Sequence, residues 1–266
     1  MQNKNSGLLI FRVLLFLFAS ALVLVASSAL TGTIPAPWRD LLLAASAAVG
    51  TLALTLLFVR WDHVTVRDVG AAIISGSSVR FALGFLIGIA LVACYATLSA
   101  LDGHILWIRG ARPIFLPALI NLSTYFALAC REELAFRGYP LFRLQHSYGL
   151  WTAQFVVAAA FAAEHFVAGW PLSRAILGAG IGSLLFGMAA IATRGLALPI
   201  GLHTAWNFAD WILGGKDATG LWRRVIDSTH EQSAQAHSTL AYIATMALAT
   251  GAFWRYHRSQ LRRSRP

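Results

Sequence analysis

Apolar runs of about twenty residues recur along this chain, and a run of that length has few ways to fold. The first of them, "GLLIFRVLLFLFASALVLVASSAL" (7–30), carries a single charge, Arg12. Windows of this kind fall at roughly 8–30, 41–59, 81–101, 113–137, 149–168, 174–193, 196–213 and 238–254. No strand-like alternation accompanies them. In lipid, only helices and closed barrels satisfy their own backbone, so the runs predict helices. With 58% hydrophobic and 12% charged residues and a mean hydropathy of +0.65, the chain holds far more apolar surface than a soluble core needs. The expected fold class is all-α: a polytopic integral membrane helical bundle of about eight transmembrane helices. No linker or repeat divides it, so residues 1–266 read as a single domain. Cys94 and Cys130 both sit in apolar runs and report nothing about redox compartment.

The first run also has the look of a leader, with a basic start and small residues near Ala26 and Ala29, but its length favours a retained helix. Two longer polar stretches remain. Residues 60–80 have room for an interfacial helix, and 214–237 read as an exposed loop. Basic residues then orient the bundle. With the N-terminus inside, 14 fall on the inner side: Lys4, Arg12, Arg60, Arg67, Arg80, Arg131, Arg137, Arg143, Arg194 and five arginines of the tail. Only 7 fall outside: Arg39, Arg109, Arg112, Arg174, Lys216, Arg223 and Arg224. That bias places both termini in the cytoplasm, in a bacterial inner membrane with short loops. The tail "RYHRSQLRRSRP" anchors the last helix at an anionic leaflet. The net charge of +10 is spread over loops and gathers on no soluble face, which argues against a nucleic-acid partner.

The chain has four glutamates, and three of them, Glu132, Glu133 and Glu164, lie in or against apolar runs with His165, His203 and Asp210. Ionisable groups at membrane depth are costly and mark function or buried pairs. Spacing adds geometry. Glu133 and Arg137 stand one helical turn apart and can pair, which leaves Glu132, about 100° round the helix, free of that partner. Phe161 and His165 share a face, as do His203 and Asn207. Glu132 and His165 lie almost symmetrically about residue 148, so an antiparallel hairpin carries them to similar depth. Pro140 should kink or end the fourth helix. His203 does not reach that depth by counting alone, so tilted or broken helices are expected. Glycines 178, 180, 182 and 187 permit close packing of the sixth run.

Other residues read more plainly. Arg131 is expected to be an interfacial, snorkelling arginine. Glu164 pairs with a basic group, orients His165, or is a chance buried carboxyl hydrogen-bonded to a neighbour. Asp210 reads as a helix-end charge, and Tyr139, Trp206 and Trp211 as packing or interface residues.

The segments "EELAFR" (Glu132, Glu133, Arg137), "FAAEH" (Phe161, His165) and "HTAWN" (His203, Asn207) resemble the three motifs of the intramembrane CAAX-protease and bacteriocin-processing family, in order, over about residues 115–213. The resemblance implies an endopeptidase that hydrolyses a peptide bond of a membrane-embedded peptide or a lipidated protein. It implies that Glu132 and His165 activate water, that His203 and Asn207 stabilise the oxyanion, and that Glu133, Arg137 and Phe161 support them. No cofactor is favoured. An older view of the family makes Glu132, His165 and His203 zinc ligands, and the sequence leaves both open. Two readings from other classes stand beside this one. A proton-coupled transporter would relay protons through the same Glu and His but would show inverted repeats. A non-catalytic immunity or scaffold protein would keep the fold without needing the full motif set.

Overall fold

A computed structural model describes residues 2–110, 115–216 and 219–263, with side chains from residue 7 onward. Every apolar run is helical in it. Helices α1 (Gln2–Thr31), α2 (Trp38–Trp61) and α3 (Ser77–Ala100) are continuous. The fourth run divides into α4 (Phe115–Glu132), a π-helical turn (Glu133–Gly138) and α5 (Tyr139–Tyr148). Gly149, at φ +84°, joins it to α6 (Leu150–Val167). The sixth run opens with α7 (Leu172–Arg174) and a second π-helical turn (Ala175–Gly180) before α8 (Ile181–Thr193). Helices α9 (Ala197–Ile212) and α10 (Glu231–Arg263) complete the bundle.

Five helical stretches among the described residues are long and apolar enough to cross a membrane: Gly7–Thr31, Trp38–Trp61, Ser77–Ala100, Leu150–Val167 and Leu172–Thr193. The chain is therefore an all-α integral membrane protein, but the expected eight spans are not supported by that count. The shortfall has a physical cause. Helix α4 carries Asn121, Ser123, Thr124, Arg131 and Glu132, α9 has only 16 residues, and the centre of α10 is built from alanine and threonine between polar ends. The outward faces follow the membrane rule. Phe11, Leu14, Phe18 and Val25 of α1, with Val49 and Leu57 of α2, are exposed large hydrophobics that only lipid tails would cover at no cost.

Two ends of the bundle are distinguished by what meets there. At one end Asp62, just past α2, accepts hydrogen bonds from Arg12 of α1 and from Arg143 Nε of α5 at 2.6 Å, and from the Tyr139 hydroxyl at 3.2 Å. Arg12 also lies 5.0 Å over the ring of Trp61. The 62–76 segment, which has room for an interfacial helix, lies at this end as turns, and Leu196 N–H donates to the Gly70 carbonyl at 3.0 Å. At the opposite end a short antiparallel ribbon pairs β1 (Ile105–Arg109) with β2 (Trp222–Ile226), Trp107 opposite Arg224. The segment 214–237 thus holds a strand and the start of α10 where only a loop was expected. Arg112 and Arg265, which entered the basic-residue count, lie outside the described residues, as do the side chain of Lys4 and the start of the fourth run.

The packing that sets the site is a glycine seam. Gly84 and Gly88 of α3 bring that helix against the backbone of α9 at Leu198 and Leu202, and Gly201 of α9 meets the Phe81 carbonyl in return. A Cβ at Gly88 would lie 2.6 Å from the Leu202 carbonyl oxygen. Small residues four apart permit such approach, and close backbone packing replaces the hydrophobic drive that is missing in lipid. The seam fixes the rotation and depth of α9, the helix that carries His203 and Asn207. Elsewhere, Gly187 accommodates Gln154 of α6, and the Tyr242 hydroxyl of α10 donates to the Gly178 carbonyl at 2.6 Å.

Replacing Gly88 with leucine should force α3 and α9 apart, destabilising the fold by about 1–3 kcal/mol. The expected result is a lower thermal midpoint in detergent, with a smaller effect from Gly251→Leu, whose position is open. Equal midpoints for the two variants would contradict the seam.

Candidate active site

Four elements meet around one buried carboxylate. Glu133 and Arg137, in the π-helical turn, are fully buried, and Arg137 Nη1 donates to Glu133 Oε1 at 3.3 Å. His203 of α9 approaches the same oxygen, with Nδ1 at 2.8 Å. A carboxylate only accepts, so the imidazole donates from Nδ1–H and leaves Nε2 on the other side of the ring. That Nε2 lies 3.5 Å from Glu132 Oε2. The ring of His203 stacks on Phe186 of α8, centroids 4.2 Å apart and planes 13° apart. Glu133 therefore orients His203 as well as pairing with Arg137, a link that helical spacing along one segment could not reveal.

Arg137 fills the remaining space with aromatic contacts. Its guanidinium lies 4.2 Å over the ring of Phe161 and 5.4 Å over that of Phe186. Phe161 also contacts the ring of His165, edge-on at 4.5 Å. The pairing of Phe161 with His165 on one helix face thus has a purpose: the aromatic separates a buried cation from an imidazole. His165 Nδ1 lies 2.9 Å from the Phe161 carbonyl, to which it donates, and its ring meets Trp170 edge-on at 4.6 Å. Both histidines are thereby anchored through Nδ1.

Glu132, His165, His203 and Asn207 line a single cavity of about 650 Å³. It extends past Trp206, Tyr95 and Tyr242 to Arg174, Lys216 and Arg224, and reaches Ile105 and Ile226 of the ribbon. All four residues of the expected catalytic set are brought together, and the broken helices supply the depth that simple counting denied His203. The π-helical turn explains how. It widens the backbone directly after Glu132, and such turns recur at functional sites because they redirect neighbouring side chains. Pro140 contributes as expected, since it cannot donate a backbone hydrogen bond and sits in the first turn of α5.

Arg131 is not the snorkelling residue that its position suggested. It is fully buried and forms an ion pair with Glu164, with Nη2 2.7 Å from Oε2. The physical reason is tertiary cover: α4 exposes its first turns but buries its last, so no path leads the Arg131 side chain to the interface. Of the readings left open for Glu164, the ion pair is the one found. Arg131 precedes Glu132 and Glu164 precedes His165, so one salt bridge sets α4 and α6 in register beside the candidate site. A charged residue next to each motif residue was the available signal. Asp210 lies near the end of α9, 3.9 Å from Lys216, as a helix-end charge would. Trp211 is a packing residue whose Nε1 donates to Thr219, whereas Trp206 lines the cavity.

A zinc ion held by Glu132, His165 and His203 would need one atom of each about 2 Å from a common point. Among the described residues these three do not gather their ligand atoms within 4.8 Å of one another.

The fold and the site together define a polytopic helical membrane protein with a buried cavity of acidic, imidazole and amide groups. Residues 114–209 match the family model described as type II CAAX prenyl endopeptidase Rce1-like. Over that segment, little more than a third of the chain, the protein is similar to CAAX prenyl endopeptidases of this type. A comparison with curated proteins returned no match.

Breaking the register pair should be costly: Arg131→Glu or Glu164→Arg alone leaves like charges at depth, where losing one partner of a buried pair costs roughly 3–5 kcal/mol. The double exchange should recover most of the lost thermal stability. A double variant no more stable than either single one would show that the pair is incidental.

Proposed function

We propose that the chain is an intramembrane endopeptidase in which Glu132 and His165 activate a water molecule against a peptide carbonyl. The observation that carries this reading is the convergence of Glu132, His165, His203 and Asn207 on one cavity, within the segment that matches the endopeptidase family. Glu132 takes the water's proton as the new C–O bond forms, and returns it to the leaving amine as the C–N bond breaks. His165, with Nδ1 tied to a backbone carbonyl, presents Nε2 towards the same water. The Asn207 side-chain amide, and His203 through Nε2–H when its ring carries both protons, donate to the oxygen that gains negative charge, a role worth about 3–4 kcal/mol per donor in other proteases. Glu133 and Arg137 hold His203 in place and stay out of the reaction.

Several features support this assignment of roles. Glu133 has both Arg137 and His203 as partners, whereas Glu132 faces the cavity with only the longer contact to His203. Asparagine is an uncommon metal ligand and a good amide donor, and Asn207 stands one helical turn from His203 on the same side of α9. Hydrolysis that uses these side chains and no metal is the reading that this arrangement favours. The substrate is a membrane-embedded peptide or a lipidated protein segment. A cavity walled by Trp170, Trp206 and Tyr95 suits an apolar chain, and Arg174, Lys216 and Arg224 at its far end suit an acidic group on it. The eight helical runs would then cross a bacterial inner membrane, α4, α9 and α10 sheltered or completed by their neighbours, with both termini in the cytoplasm.

Glu132→Gln should lower the turnover of a membrane-anchored peptide substrate by at least roughly 10²–10⁴-fold, the range of general acid–base contributions, while leaving thermal stability unchanged. Glu133→Gln should lower stability and turnover together. Near-normal turnover in Glu132→Gln, with folded but inactive Glu133→Gln, would reverse the two roles.

The orientation has its own check. Reporters fused after residue 263 and before residue 7 should both be active only in the cytoplasm. A C-terminal reporter active only outside would overturn the map.

A further inference from the structure

Where the ribbon meets α10, three side chains converge that the proposed hydrolysis does not use. His104 precedes β1, Asp227 follows β2, and His230 precedes α10. Their ligand atoms lie within 4.8 Å of one another. Asp227 Oδ2 is 2.9 Å from His230 Nδ1 and 3.8 Å from His104 Nδ1. The two imidazoles stack, with centroids 4.0 Å apart and planes 8° apart. The other oxygen of Asp227 is occupied locally, since Oδ1 accepts the Thr229 N–H at 3.0 Å and the Thr229 hydroxyl at 2.8 Å. Only Oδ2 faces the rings.

The backbone fixes all three positions. Asp227 N–H donates to the His104 carbonyl at 3.0 Å, which carries the ribbon pairing one step beyond its strands. His230 N–H donates to the Asp227 carbonyl at 3.0 Å, closing the turn that leads into α10. Hydrogen bonds from Thr229 and His230 hold the Asp227 carboxyl low, at about 2, so it is ionised across the physiological range.

We propose that His104, Asp227 and His230 form a binding site for a divalent transition-metal ion of the zinc class, which clasps the β1–β2 ribbon to the head of α10. The donor set selects the class. Two imidazoles and one carboxylate suit zinc and its neighbours, whereas magnesium and calcium prefer oxygen ligands throughout. Bonds of about 2.0–2.1 Å in a tetrahedron put ligand atoms about 3.3 Å apart. The spacings of 2.9 and 3.8 Å on either side of Asp227 Oδ2 bracket that value. Binding requires the stacked rings to turn out of their parallel planes, and His230 Nδ1 to release Thr229 Oγ1, now 2.9 Å away, so that both Nδ1 lone pairs point at one ion. The ion displaces the proton now shared between His230 and Asp227, which passes to solvent. Water completes the coordination. Ile105 and Ile226, the immediate neighbours of His104 and Asp227, line the catalytic cavity. The ion would therefore fix the wall at the mouth of that cavity without touching the reacting groups.

The test uses the full chain, purified in detergent through a tag that contains no histidine, stripped with a chelator and titrated with zinc. One ion should bind per chain. His104→Ala with His230→Ala should abolish stoichiometric binding, and Asp227→Asn, which keeps a side-chain oxygen for Thr229, should weaken it at least tenfold. Glu132→Gln and His165→Ala should leave it unchanged. Cobalt in place of zinc should give the visible absorption of a four-coordinate site in the wild-type chain and lose it in the double variant, while helical circular dichroism stays the same. No stoichiometric ion in the wild-type chain would overturn the proposal. An ion that survives the double variant but is lost on His165→Ala would overturn it too, and would place the metal in the cavity.

Discussion

A carboxylate sealed inside a lipid-embedded bundle must find both its counter-charge and its hydrogen bonds within the protein, because no water is available to replace them. Glu133 meets this demand through Oε1, with Arg137 from its own turn and His203 from α9. The surroundings follow from that choice. Arg137 gives only one hydrogen bond to Glu133, leaving its Nε and Nη2 without hydrogen-bond partners among the described residues, and aromatic faces from Phe161 and Phe186 lie against its charge. His203 must arrive at the depth of the fourth run, so α9 must seat deeply, and the glycines of α3 give it the room. The neighbouring carboxylate, Glu132, is then left to the cavity.

Charge is thus arranged in pairs that reach across helices. Arg131–Glu164 joins α4 to α6, Glu133–His203 joins the π-helical turn to α9, and Asp62 joins α1, α2 and α5 through Arg12, Arg143 and Tyr139. Lipid cannot drive helices together by the hydrophobic effect, so polar contacts and close packing have to hold them in register. The first two of these links flank the candidate catalytic side chains, which makes positioning and cohesion the same set of interactions.

Much of this was legible in the chain before folding. Hydropathy located every helical run, because the apolar period is strong and the runs are long. The motif residues were legible because glutamate and histidine are rare in such runs. Contacts between runs were not. The pairing of Glu133 with His203 spans 70 residues, and spacing along one helix says nothing about it. Arg131 was misread for the same reason: a basic residue near a helix end snorkels unless another helix covers it, and that cover comes from tertiary packing. The ribbon was missed because Ile105–Arg109 and Trp222–Ile226 are each five residues long and mixed in polarity, with no turn between them to announce a hairpin. Length and composition alone support five spans among the described residues, because α4, α9 and α10 are too short or too polar to qualify by themselves.

The widened turn at Glu133–Gly138 sets a limit on how this chain can vary. An ordinary helix advances each residue by about 100°, so a deletion or insertion of one residue swings everything beyond it by that angle. Between α4 and α5 such a change would leave Glu132 aimed at the cavity while it turned Tyr139 and Arg143 away from Asp62. Substitutions that preserve bulk are therefore far better tolerated across this segment than any change in its length. The phase relation between the two halves of the fourth run, more than the identity of most residues within it, ties the cavity to the far end of the bundle.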